Sequence, residues 1–207
     1  MKLPYILAAA RYPGVESNFV MSDDALGGYL AAKHLCQLGH RRFALVFHEA
    51  ETSPVLDRIA GFERGLRECG LDPAACVRRP LWEKHILEPD AVAAATRHLL
   101  RGPRDFTAVF CYCDYFAMSV YAEIYQAGLR IPEDVSVMGY DNIHLSSAMW
   151  PLLSTVNIDH EELGEIAARE LLELIYTPYA DIPMRRQIVL RPSLVLRAST
   201  APPPAGK

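Results

Sequence analysis

Short apolar runs alternate with helical patterns along almost the whole of this 207-residue chain, and that alternation limits its possible folds more than any other feature. Runs of strand character lie at 5–10, 19–21, 43–47, 77–79, 108–111, 135–138, 153–156, 186–190 and 193–197. Between them, apolar residues recur at helical spacing over 24–38, 55–69, 89–100, 114–127 and 160–176. Parallel neighbours need a long crossover, usually a helix, so this order implies parallel sheets with helices on their faces, an α/β fold. The punctuation agrees. Gly39, Gly70 and Gly128 each follow a helical pattern, where a left-handed residue ends a helix. Asp23 or Asp24, Asp114 and Asp159 stand where N-caps belong.

Composition narrows the function. The net charge of −4 and the scattered basic residues (Arg78-Arg79 and Arg185-Arg186 are only pairs) argue against a nucleic-acid surface spread over the chain. No apolar stretch is long enough to span a bilayer, so no membrane partner is expected. The first residues resemble a signal peptide faintly, but Pro4 and Arg11 interrupt them and a buried strand is the better reading. Cys36, Cys69, Cys76, Cys111 and Cys113 form no CxxC pair and no zinc spacing, which suggests reduced thiols in a cytoplasmic protein. There is no GxGxxG, GxxxxGK[ST], GxSxG or HExxH, and the histidines lack metal spacing. Gly27-Gly28 sits inside a helical pattern, where close packing explains it. No catalytic residue, metal or cofactor is predicted.

A binding site has some support. From Ile131 to Asn142 the chain reads IPEDVSVMGYDN: a proline and an acidic pair, a buried strand through Val135, Val137 and Met138, and Gly139 to release it. Asp141 then falls just past the carboxyl end of a strand, where open α/β sheets bind ligands. It would accept hydrogen bonds from ligand hydroxyls or amines; on position alone a capping or turn aspartate is the plainer reading. Arg58, opening the helix that begins RIAGF, would offer a planar fork of donors, with a surface arginine as the plainer reading. Trp82, past the strand near Val77, would stack on a sugar or base face, or else anchor a core.

Four segments together resemble the regulators of the lactose-repressor/galactose-repressor (LacI/GalR) family. Residues Asp23 to Arg42, DDALGGYLAAKHLCQLGHRR, are similar to that family's D-N-x-x-G-G-x-x-A-x-x-H-L-x-x-x-G-H-R-R. RIAGF at 58–62 resembles R-x-x-G-F, PEDVSVMGYDN at 132–142 resembles P-x-D-V-S-V-x-G-Y-D-[DN], and PLLSTV at 151–156 resembles P-x-L-T-T-V. Their order is the family's, and with Gly164 in the following helix they cover nearly all of residues 1–200.

The resemblance implies a two-lobed, periplasmic-binding-protein-like fold with three crossovers, near Asp23, Ile158 and Pro183. One lobe would be 23–157 with 183–200. The other, the N-terminal lobe, would be 1–22 with 158–182 and would be incomplete, followed by a disordered tail at 201–207. The family's DNA-reading helix-turn-helix has no counterpart, so contact with DNA would need a domain absent from this chain, and a truncated regulator fits. Leu3-Pro-Tyr-Ile-Leu7 resembles the family's I-P-[VY]-V strand.

Carried over, Asp141, Arg58 and Trp82 match positions that bind, clamp and stack against an effector. Ala9 replaces an acidic residue, Cys113 an asparagine and Ile158 a glutamine, which removes polar partners a hexose would need. Met118, Met149 and Trp150 map near the family's dimer contacts, with core packing as the alternative for Met118. The resulting expectation is a non-enzymatic module sensing a small effector, sugar or nucleoside-like, in a homodimer. A free-standing sugar-binding protein and an α/β enzyme on a small polar substrate remain as alternatives.

Overall fold

The computed structural model describes residues 4–12, 14–48, 52–80, 89–102, 105–177 and 186–205. In chain order these form β1 (Leu7–Ala8), β2 (Phe19–Ser22), α1 (Asp24–Gln37), β3 (Phe43–Val46), α2 (Ser53–Glu68), α3 (Pro73–Cys76), β4 (Val77–Arg78) and α4 (Pro89–Arg101). There follow β5 (Ala108–Cys111), α5 (Asp114–Gln126), β6 (Ser136–Asp141), β7 (Ser154–Asn157), α6 (His160–Tyr176), β8 (Gln187–Leu190) and β9 (Ser193–Val195). The strands fall into two sheets. The small one has the order β1-β2-β8 and is parallel; the large one has the order β4-β3-β5-β6-β7-β9 and is parallel except at β9.

Strand alternation sends successive side chains of the large sheet to opposite faces. Phe43, Leu45, Phe110, Met138 and Tyr140 join α1 and α2 in one core, with Leu35, Phe62 and Leu66. Ala44, Val46, Val109, Cys111 and Val137 join α4 and α5 in the other, with Val92, Val120, Ile124 and Leu153. Among the described residues the small sheet has one covering helix: Val20 meets Leu163 and Ala167 of α6, flanked by Ile6, Ile166, Ile188 and Leu190.

Glycines set how closely α1 and α2 approach. A Cβ at Gly28 would lie 2.0 Å from the Arg58 carbonyl oxygen, and one at Gly61 would lie 1.9 Å from that of Ala25. Backbone therefore touches backbone, and Gly27-Gly28 serves packing. At the helix ends, Gly39, Gly70 and Gly128 hold positive φ of 100°, 75° and 71°. Asp23 and Asp159 cap α1 and α6 by accepting from the N–H groups of Leu26 and Glu162.

Five local expectations need correcting. Arg58 does not open its helix: α2 begins at Ser53, helped by Pro54 in its first turn, and Arg58 lies inside it. Gly139 does not release β6, which continues to Asp141; it is glycine because a Cβ there would lie 2.2 Å from Asp114 Oδ1. Cys113, not Asp114, is the N-cap of α5, and the Asp114 side chain is buried instead. The tail is not free from residue 201. The Ala201 carbonyl oxygen accepts from His40 Nε2 and from the Ser136 hydroxyl, and Pro203 packs by Gly39. Finally, β8 pairs with β2, so the last passage between sheets falls between Leu190 and Ser193. Pro183 lies outside the described residues.

Candidate functional site

A buried charge cluster occupies the carboxyl edge of the large sheet, where β6 ends and α1 and α2 begin. Arg58, only 5% exposed, is its centre. Its Nε donates to Asp24 Oδ1 at 2.8 Å, its Nη1 to the Tyr112 carbonyl oxygen at 2.6 Å, and its Nη2 meets Asp141 Oδ1 at 3.3 Å. The guanidinium also lies 3.6 Å from the centre of the Tyr140 ring. Burial opposes the charge on Arg58, but Asp24 and Asp141 outweigh it and keep the group cationic. Burial likewise pushes both carboxyls up, against the pull of Arg58. The two carboxylates differ in access. The Asp24 side chain is 2% exposed and that of Asp141 is 18%.

Backbone geometry aims Asp141. Asp141 and Asn142 hold φ of 99° and 55°, left-handed values that cost a non-glycine residue about 1–3 kcal/mol and survive only where the surroundings enforce them. The enforcement is visible. Asn142 Nδ2 donates to Asn157 Oδ1, Arg197 Nη2 donates to Asn142 Oδ1, and the Ile143 N–H donates to Asp114 Oδ2. Asp114 also accepts from the Thr155 hydroxyl at 2.7 Å, and burial raises its carboxyl to about 6.

Around the cluster stand His48, Tyr112 and Phe116, with the His48 and Tyr112 ring centres 4.5 Å apart and those of Tyr112 and Phe116 5.6 Å apart. Cys113 is buried and within electrostatic reach of Asp141 and Arg58, its thiol pushed up to about 11 by burial. The small-sheet side contributes Arg11, after β1. Its N–H donates to the Ser53 hydroxyl and its Nη2 to Asp57, both on α2. His160, at the start of α6, acts electrostatically on Asp141.

The structure thus brings together Arg58, Asp141 and Cys113. Ile158 instead packs into the core shared with α1 and α2, which suits its apolar side chain. Trp82 lies outside the described residues. Sequence reading had not singled out Asp24, Tyr112 or Asp114 as site residues. The doubled Asp23-Asp24 was the available signal: one aspartate caps the helix and the other pairs with Arg58. Among the described residues no group of His, Cys, Asp or Glu could hold a metal ion.

Two α/β sheets, with an ion-paired carboxylate opening at the strand ends of the larger, define an α/β binding fold of the periplasmic-binding-protein type. The model of the periplasmic binding protein-like domain family matches residues 32–200. The ribose operon repressor of Haemophilus influenzae is 35% identical over 201 residues, which is 96% of this chain and 58% of that protein. The transcriptional repressor PurR of Aliivibrio salmonicida is 32% identical over 202 residues, 96% of this chain and 57% of its own length. A LacI family regulator from Enterococcus faecium, solved with bound ribose, superposes with a TM-score of 0.81 at 33% identity, covering 90% of this chain and 66% of that one. A CelR–cellobiose complex gives 0.82 at 28% identity, covering 95% and 58%. The chain belongs to the periplasmic-binding-protein-like family, in the form that LacI-type transcription regulators carry. It spans a little under three-fifths of the curated relatives it matches.

Proposed function

We propose that this chain is the effector-binding module of a LacI-type transcription regulator, and that it holds a small polar molecule, a sugar or nucleoside, between two lobes. One lobe is built on the large sheet and the other on the small sheet with α6. The observation that carries this reading is Asp141: a carboxylate at the end of β6, turned by a left-handed backbone, braced by Arg58 and still partly open. Arg58 positions that carboxylate, and a guanidinium carries more N–H donors than the partners found here use, so it can also donate to a ligand. Cys113 and the Tyr112 ring supply an apolar wall beside these charges. Such a wall suits the flat face of a sugar or base.

Binding without turnover is the chemistry proposed, since nothing in the cluster pairs a nucleophile with a base. Ligand would close the lobes and shift a population of shapes, to be read by a DNA-binding domain in the cytoplasm. We also propose a homodimer through the face around Met118, Met149 and Trp150. Trp150 is 83% exposed, Met118 and Tyr115 are exposed on α5, Met149 is half-buried against the core that α5 shares, and the Tyr125 hydroxyl donates to the Trp150 carbonyl oxygen at 2.6 Å. Exposed aromatics and methionines suit an interface.

The test is a thermal-shift panel of pentoses, hexoses, disaccharides and nucleosides on the full chain. One chemical class is expected to raise the melting temperature in a concentration-dependent way. No shift from any class at millimolar concentration would overturn the reading.

A further inference from the structure

The α1–α2 seam ends in a pair of thiols. The two helices run parallel, and their close contacts climb together: Ala25 meets Gly61, and a turn or two later Ala32 meets Gly65, where a Cβ would lie 2.7 Å from that of Ala32. One further turn on each helix brings Cys36 against Cys69. The small residues at the earlier rungs hold the backbones at close range, and disulfides need just such an approach, with Cα atoms about 5.5–6 Å apart. The side chains agree with that register. Cys36 is buried and within electrostatic reach of the Cys69 and Cys76 thiols; burial first, then Cys69, pushes the Cys36 thiol up to about 12. Cys69 is half-buried at the end of α2 and so within reach of a small oxidant. All five cysteines are free, and this pair lies at the opposite end of α1 and α2 from the charge cluster.

We propose that Cys36 and Cys69 are an oxidation site, forming a disulfide that clamps the C-terminal ends of α1 and α2. With a peroxide as oxidant the steps balance. The Cys69 thiolate sulfur attacks one peroxide oxygen, the O–O bond breaks, and the departing hydroxide takes a proton and leaves as water. The Cys36 sulfur then attacks the sulfur of the sulfenic acid; the S–S bond forms, the S–O bond breaks, and the Cys36 proton leaves with the hydroxide as a second water. Two thiols and one peroxide give one disulfide and two waters. Asp24 rides on α1 and Arg58 on α2, so the clamp fixes the helix pair that carries the buried ion pair. The proposal stands whether or not a ligand binds there.

The experiment treats the reduced, full chain with hydrogen peroxide, blocks remaining thiols, and maps peptides without reduction. The expected product carries no link between chains, each chain is lighter by two hydrogens, and the Cys36 peptide is joined to Cys69. Its melting temperature is expected to rise by a few degrees and to fall back on reduction. Cys76→Ser is expected to keep the cross-link. Cys69→Ser, at a half-buried helix end, should lose it while keeping the wild-type circular dichroism. Recovery of Cys36 as an alkylated thiol after oxidation, or a Cys69–Cys76 link in its place, would overturn the proposal.

Discussion

The two sheets differ in how they are finished. The large sheet is covered on both faces and buries Phe43, Phe62, Phe110, Met138 and Tyr140 completely. The small sheet has α6 on one face only. Val189 of β8 is 54% exposed, and Leu172, Ile175 and Tyr176 of α6 lie open to solvent. A shortage of local apolar sequence does not explain the contrast, since both segments are rich in it. One sheet has partners for both faces within the described residues, while the other has a partner for one. The charge cluster is built on the finished side, where packing can hold a strained Asp141 and a buried Arg58 in place. The open side contributes lighter touches, Arg11 and His160.

Substitutions in the large sheet should therefore weigh most. Arg58→Met would leave Asp24 buried without its partner, and removal of one member of a buried ion pair costs about 3–5 kcal/mol. Urea unfolding should show the midpoint collapsing, with double replacement of Arg58 and Asp24 recovering part of the loss. Gly61→Ala drives a Cβ into the Ala25 carbonyl and should cost about 3 kcal/mol, because backbone must move rather than a side chain. Thermal melts would check it. A loss under about 0.5 kcal/mol would mean that the seam is looser than its distances say.

A third effect is smaller and carries a sign. Asp114 holds its proton to about pH 6 in the folded chain, against an ordinary value of 3.8. Between those limits the folded state binds a proton that the unfolded state has released, so this group makes stability fall as pH rises from about 4 to about 6. His34 and His40, lowered by burial, act in the opposite direction, so the observable is the difference from Asp114→Asn. That variant keeps an acceptor for the Ile143 N–H and should remove this slope from denaturation curves taken across the range. The smallest effect belongs to the open side. Leu172→Ser, on the exposed face of α6, should change stability by no more than about 0.5 kcal/mol.

The sheet-and-helix order was legible because it rests on local signals. Apolar periodicity marks Phe43–Val46 and Ala108–Cys111, while Asp23, Asp159, Gly39, Gly70 and Gly128 punctuate the helices as their backbone preferences require. What stayed hidden depends on distant partners. Nothing near Arg58 in the sequence says that its donors go to Asp24, 34 residues away, and to the Tyr112 carbonyl, 54 residues away. Asp114 looked like a cap because caps are local; its burial follows from Thr155, 41 residues on. The C-terminal segment looked free because prolines and alanines have no periodic pattern, yet His40 holds it through Ala201. The seating of β8 on the small sheet follows from pairing, which no local pattern encodes.

The most direct test of the ligand site is calorimetry on Asp141→Asn, using the sugar or nucleoside that the thermal-shift panel selects. Asparagine tolerates the left-handed backbone and keeps the shape, and Arg58 keeps Asp24 as its partner, so the variant should still fold while the Asp141 charge is gone. The expected result is binding weaker by about tenfold or more, from the loss of a charged acceptor worth about 1.5–3 kcal/mol. Equal affinity in the two proteins would contradict the assignment of Asp141 as the group that holds the ligand.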